Sequence, residues 1–261
     1  MSQAGMFQNK SVLVTGGASG MGRSAARRFA AEGARVCIAD KDLAGAKNTA
    51  EAIAAQGGQA FACAVDIVRP EDNDHMVDEA VKRHGGLDVA FLNAGYYLRM
   101  DALEGDIADF DTIIAINLRG CYLGLRSVAR RINRGGSIVV TASIGGLSPV
   151  ALSPAYSAAK HGVVGLVRSL TEDFARRGVR INAVCPGGVY TPMTGSTLPD
   201  LDAPPDQLPV QPYQDRIYPA HIAESVLFLA SGRAAGITGT CMVVDNGQMA
   251  GSPRPRDTQP T

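Results

Sequence analysis

Ser11-Val-Leu-Val-Thr-Gly-Gly-Ala-Ser-Gly-Met-Gly22 decides how this 261-residue chain is read. An apolar, Val-rich run leads directly into a glycine-rich turn. Such a run reads as a strand buried on both faces. The residues after the turn, 23–32, carry helical apolar spacing. Glycines between a strand and a helix let the turn tighten and let the backbone approach an anion. The helix N-terminus then offers it unpaired N–H groups. The stretch therefore predicts a first β-α unit with a phosphate cradle. Gly16, Gly20 and Gly22 set the T-G-x-x-x-G-x-G spacing, and Ser19 and Met21 sit between them.

The pattern repeats along the chain. Residues 35–39, 60–64, 87–92, 137–141, 180–184 and 241–244 are further short apolar runs rich in Val, Ile or Cys. Helical patterns lie between them, for example over 43–56, 70–84 and 110–133. Pro70-Glu-Asp72 is a strong helix opening, with proline in the first turn and acids at the positive end. Strictly alternating strands and helices predict an α/β, doubly wound parallel sheet of seven strands flanked by helices. One domain over 1–250 suits this length, because such domains routinely run to about 250 residues. Residues 191–218 hold many prolines and few periodic apolar positions, which suggests a lid over the ligand. The Pro- and Arg-rich tail, 251–261, reads as flexible.

Composition narrows the function. There are 25 basic and 25 acidic residues, which gives no electrostatic footprint for nucleic acid or an anionic membrane. Nothing resembles a signal peptide or a bilayer-spanning run. Cys37, Cys63, Cys121, Cys185 and Cys241 form no C-x-x-C. They read as reduced thiols, and the chain as cytoplasmic. His75, His84, His161 and His221 lack metal-ligand spacing, so no metal is expected.

Ligands of open α/β sheets bind at the carboxyl ends of the strands. Asp40 closes the second strand 18 residues after Gly22, near the spacing of an acid that accepts from ribose hydroxyls. It would repel a 2′-phosphate, which favours NAD over NADP, although Lys41 beside it would soften that rejection. Asp40 is also a candidate helix cap, but Asp42 can serve instead. Asp66-Ile67 at the third strand end would meet the adenine. Asn93-Ala94-Gly95 at the fourth supplies a tight turn beneath the cofactor.

Tyr156-Ser-Ala-Ala-Lys160 lies near the start of a long helical stretch, so Tyr156 and Lys160 share one helix face. A phenol loses its proton near pH ~10. An ammonium one turn away favours the phenolate, which makes the pair a plausible proton-transfer device. Ser143 precedes Tyr156 by 13 residues. Asn117, in Ile116-Asn-Leu118, sits within an apolar helix face, where an amide is costly unless it is used.

Taken in order and spacing, Thr15–Gly22, Asp66, Asn93-Ala-Gly95, Asn117, Ser143, Tyr156-x-x-x-Lys160, Pro186-Gly187 and Ile237-Thr-Gly239 resemble the short-chain dehydrogenase/reductase family from about Lys10 to Asn246. Leu92 departs from it, where a second Asn is frequent. The resemblance implies a Rossmann fold and hydride transfer between a nicotinamide cofactor and a secondary alcohol or ketone. In that family Tyr156 would be the general acid/base. Ser143 would stabilise the substrate oxygen, and Lys160 would lower the Tyr156 pKa and grip the nicotinamide ribose. Asn117 would hold a water of a proton relay. Pro186, Gly187, Val189 and Thr191 would pass the nicotinamide. Ser143, Tyr96, Gly188 and Met193 would meet substrate, with Tyr97 and Leu98 on the same wall. Lid residues Leu198, Leu201, Leu208, Tyr213 and Tyr218 would make the pocket apolar, with Asp200, Asp202, Asp206 and Asp215 at its rim. A homotetramer is also implied. Two other readings remain open: an NADPH-dependent 3-oxoacyl-thioester reductase, and a nucleotide-binding regulator without catalysis.

Overall fold

The computed structural model describes residues 5–101, 103–151, 153–195, 207–208 and 216–251. Seven parallel strands form one sheet: β1 Ser11–Thr15, β2 Arg35–Asp40, β3 Gln59–Ala64, β4 Val89–Leu92, β5 Ser137–Thr141, β6 Arg180–Pro186 and β7 Cys241–Val244. Their order is β3-β2-β1-β4-β5-β6-β7. The order reverses between β1 and β4, and that switch point opens a crevice at the carboxyl ends of the strands.

Alternation along β1 divides the core. Val12 and Val14 face helices α1 (Gly20–Ala31), α2 (Leu43–Ala55) and α7 (Pro219–Ala230), against Phe29, Ile53, Ile222 and Val226. Leu13 faces the opposite layer, α3 (Pro70–His84), α5 (Cys121–Ala129) and α6 (Pro154–Arg176), against Met76, Leu125, Val163 and Phe174. Helix ends follow their sequence signals. In α3, Pro70 opens the helix above Glu71 and Asp72. Lys82, Arg83 and His84 occupy the last turn, and left-handed Gly85 closes it. Asp42, rather than Asp40, caps α2 by accepting from the Gly45 N–H at 3.0 Å.

The helix expected over 110–133 is three successive pieces. α4 spans Ile107–Ile114, a wider π-type turn covers Ala115–Gly120, and α5 follows. The Asn117 amide sits in that wide turn, and such turns gather at functional sites. Leu198, Leu201 and Tyr213, the four lid aspartates and the tail beyond Gly251 lie outside the described residues. Among the described residues no helix is long and apolar enough to cross a membrane, and all five cysteines carry free thiols.

Candidate active site

The first glycine turn is built by close approach. A Cβ on Gly22 would lie 2.0 Å from the Gly16 carbonyl oxygen, and Gly16 itself has φ +68°. Neither position tolerates a side chain while α1 starts where it does. The turn is locked to β2 by Asp40, whose two carboxylate oxygens accept from the Ala18 and Asp42 N–H groups at 2.9 Å each. The acid thus closes the turn and still faces the crevice.

A cavity of about 320 Å³ runs along this edge. Gly16, Ser19, Gly20, Met21, Asp40, Lys41, Asp66, Ile67, Asn93, Ala94, Gly95, Tyr96, Thr191 and Met193 all line it, as their positions in the sequence suggest. Ala39, Val65, Ile116 and Pro192 line it too. Each of these adjoins a residue already singled out, so adjacency alone could have found them. Gly22, Pro186, Gly187, Gly188 and Val189 do not line it, and neither do Ser143, Tyr156 and Lys160. Gly22 is packed beneath the turn. Pro186 ends β6, and the next three residues hold the Thr191 segment: Gly187 N–H donates to Val244 O at 3.0 Å, and Gly188 O accepts from Ile217 N–H at 2.8 Å. Val189 O accepts from the Thr194 hydroxyl at 2.8 Å. The adjacent Thr191 side chain comes within 3.1 Å of where a Gly20 Cβ would be, so the β6 loop meets the first glycine turn.

The donors fit a dinucleotide. A backbone cradle that excludes Cβ suits a pyrophosphate, and a carboxylate at the end of β2 suits a diol. Lys41 Nζ lies 3.1 Å from Asp66 Oδ2, which draws the cation away from the Asp40 carboxylate. Burial raises the Asp66 pKa, but the Lys41 and Val68 hydrogen bonds and the Lys41 charge outweigh it and hold the acid below its ordinary value.

Behind the cavity, polar groups bind three strand ends together. Thr15 Oγ1 accepts from the N–H groups of Asn93 (2.9 Å) and Ala94 (3.1 Å). Asn93 Nδ2 donates to Thr15 O at 3.1 Å, and its Oδ1 accepts from the Thr141 hydroxyl at 3.1 Å. Thr141 O then accepts from Lys160 Nζ at 2.9 Å. Thr15 opens the T-G-x-x-x-G-x-G spacing and Thr141 closes the fifth apolar run, but the motif reading assigns neither a role.

Lys160 is 3% exposed. Burial pulls its pKa down to about 8, against the opposing influence of the Cys121 and Cys185 thiols. Its Nζ lies 5.6 Å from the Tyr156 ring centroid. Tyr156 is partly exposed as a residue, but its phenol end is sunk in protein. Burial raises the phenol pKa, and the nearby Ser143 hydroxyl acts in the opposite direction. The net upward direction is the reverse of what pairing with Lys160 alone suggests. Burial is the largest influence on the phenol, and Lys160 is anchored on Thr141 O. Ser143 lies just past β5 and is held by Gly145 N–H, which donates to its Oγ at 3.0 Å. Asn117, 1% exposed, uses its whole amide. Nδ2 donates to Tyr96 O (2.8 Å) and Ile113 O (3.0 Å), and Oδ1 accepts from Tyr96 N–H (3.2 Å).

Comparison with known proteins fits this geometry. A family model described as Enoyl-(Acyl carrier protein) reductase matches residues 16–249. Levodione reductase of Leifsonia aquatica is 35% identical over 255 residues, covering 94% of this chain and 96% of its own. The 2,5-dichloro-2,5-cyclohexadiene-1,4-diol dehydrogenase of Sphingobium indicum is 36% identical, covering 92% and 97%. The crystal structure of levodione reductase superposes with TM-score 0.83 at 34% identity, covering 94% and 99%. The chain belongs to the short-chain dehydrogenase/reductase family and is by class an oxidoreductase.

Proposed function

We propose that the chain is an NAD-dependent oxidoreductase that interconverts a small cyclic secondary alcohol and its ketone, with Tyr156 as general acid/base. The observation that carries this reading is the buried Tyr156 phenol between Ser143 and Lys160: a Cβ on Gly145 would lie 3.4 Å from Ser143 Oγ and 3.5 Å from Tyr156 Cε1, and the Lys160 ammonium, 5.6 Å from the Tyr156 ring centroid, is fixed to Thr141 O. A bound nicotinamide dinucleotide supplies the hydride acceptor or donor. Gly16, Ser19, Gly20, Met21, Asp66, Ile67 and Asn93 to Gly95 would hold it, with Asp40 on the adenosine ribose. In reduction the Tyr156 phenol protonates the substrate oxygen while Ser143 donates to it as negative charge develops. In oxidation the phenolate accepts that proton, so the oxidation rate rises with pH. A ring-shaped substrate is favoured by the aromatic pair Tyr97 and Tyr156 and by the cyclic diol that names one relative.

Initial rates with NAD(H) and NADP(H) test the reading. The panel is cyclohexanol, cyclohexanone, a 3-oxoacyl thioester and an enoyl thioester. Turnover of the ring alcohol with NAD is expected. Preference for NADP(H) with a thioester would replace this reading by the thioester reductase. Nucleotide binding without any turnover would leave a regulator.

We also propose a homotetramer. Asp101, Glu104, Asp106, Asp109 and Asp111 gather at the start of the α4–α5 stretch and Arg126, Arg130 and Arg131 at its end. Ile107, Phe110 and Tyr122 are exposed along it. Antiparallel pairing about a two-fold axis would set unlike charges together. Sedimentation velocity would read four copies, and Phe110→Glu would lower that number.

A further inference from the structure

Tyr156 lies in the first turn of α6, where the backbone is least restrained. Ser153 occupies the N-cap position, yet its side chain makes no capping hydrogen bond. Instead, fully buried at 0% exposure, it donates through Oγ to the Tyr97 hydroxyl at 3.0 Å. The Tyr97 ring stands edge-on to the Tyr156 ring, with centroids 5.1 Å apart and planes at 89°. The backbone carrying Tyr97 is clamped one residue earlier, where Asn117 holds both the N–H and the carbonyl of Tyr96. Gly145 also packs on the phenol ring, since a Cβ there would lie 3.5 Å from Tyr156 Cε1. The serine that would ordinarily cap the helix is spent on a second tyrosine that touches the first.

We propose that Tyr97 is a positioning and specificity-determining residue. Held by Ser153 and by the Asn117 clamp, it fixes the Tyr156 ring and makes with it a right-angled aromatic corner that favours ring-shaped over open-chain alcohols. The inference rests on the alcohol and ketone reading above. Rotation about the Cβ–Cγ bond leaves the phenol oxygen on its axis, so its direction is set by the first side-chain torsion, and an edge-on neighbour holds the ring against swinging about it. A misplacement of about 1 Å in a reacting geometry costs roughly a hundredfold. This also gives Asn117 a role in setting the substrate wall through Tyr96.

The test uses the full chain carrying ¹³Cζ-tyrosine, with Tyr156→Phe assigning the Tyr156 signal. It compares Tyr97→Leu, Tyr97→Phe and Ser153→Ala. Circular dichroism and NADH binding report folding. Tyr97→Leu is expected to shift the Tyr156 signal and lower the pH at which it titrates, because water reaches the phenol. It should cut kcat/KM for cyclohexanol about tenfold and that for 2-butanol less than about threefold. Tyr97→Phe and Ser153→Ala both remove this hydrogen bond, so each should cost about threefold with cyclohexanol and the double variant less than the product of the two. An unchanged Tyr156 titration together with an unchanged cyclohexanol to 2-butanol ratio would overturn the proposal. If Tyr97→Leu does not fold, additive losses in the Tyr97→Phe/Ser153→Ala double variant, or no loss in either single variant, would overturn it equally. If the wild-type chain oxidises no alcohol, the functional reading fails. The resonance shift still decides whether Tyr97 positions Tyr156.

Discussion

The two ends of the sheet each carry a cavity, and the larger one is not the candidate active site. At the amino ends of β1 to β3 a space of about 500 Å³ is lined by Gln8, Asn9, Arg27, Gln56 and Gln59, among others. At the carboxyl ends the space is about 320 Å³. Only the smaller one is lined by a Cβ-excluding turn and an acid held by two N–H groups, and the same end of the sheet carries Lys160, anchored on Thr141 O, near Tyr156. The amino end spends its polar groups on itself. Asp88 accepts from Ser11 N–H at 2.9 Å and from Asn133 Nδ2 at 3.1 Å, and Ser11 Oγ meets His84 Nδ1 at 2.9 Å. Convergent chemistry marks the candidate site, and volume is a poor guide to it.

The contrast is broken most directly at Tyr156. Tyr156→Phe keeps the ring against Tyr97 and removes only the hydroxyl. We expect kcat/KM to fall by about 10²–10⁴, the usual worth of a general acid/base, with NADH affinity little changed by fluorescence titration. Retained turnover would mean that the carboxyl-end geometry is not catalytic through this phenol. Gly22→Ala comes next. Its Cβ would meet the Gly16 carbonyl at 2.0 Å, so the turn or α1 must shift. Cofactor affinity should fall by about a hundredfold and thermal stability with it. Asp40→Ala leaves the Ala18 and Asp42 N–H groups without their acceptor. The ratio of NAD to NADP efficiency should drop about tenfold or more, read from initial rates. An unchanged ratio would move the cofactor choice to other residues.

How far the sequence could be read divides along similar lines. All seven strand cores and the first glycine turn follow from apolar runs and punctuation, because burial on both faces leaves a continuous signal. The run 87–92 overshoots the start of β4 by Leu87 and Asp88, and the run 180–184 stops two residues short of the end of β6. The Asp42 cap followed from helix-start chemistry. The π-type turn over Ala115–Gly120 left no periodic mark, since one residue of extra winding barely disturbs an apolar face. The direction of the Tyr156 pKa was also out of reach. The spacing of Tyr156 and Lys160 records a cation one turn away, but says nothing of the burial that raises the phenol pKa. What Thr15 and Thr141 do is not legible, because it depends on three strands meeting, which no local pattern carries.

The smallest expected effect belongs to the amino end, and it should touch stability alone. His84 packs edge-on to Phe61, with ring centroids 5.2 Å apart. Burial, with Arg35 and Arg83 nearby, lowers its pKa from 6.5 to about 4. The native state therefore holds His84 neutral where the unfolded chain would protonate it. Stability from this group is fully present above about pH 6.5 and is lost as the pH falls toward about 4. His84 is only half-buried, so solvent screening keeps the difference to about 1 kcal/mol. His84→Gln should flatten the urea-midpoint profile between those pH values and leave kcat/KM at pH 8 within about twofold. A large loss of activity at unchanged stability would show that the amino end reaches the chemistry after all, and the division between the two ends would fail.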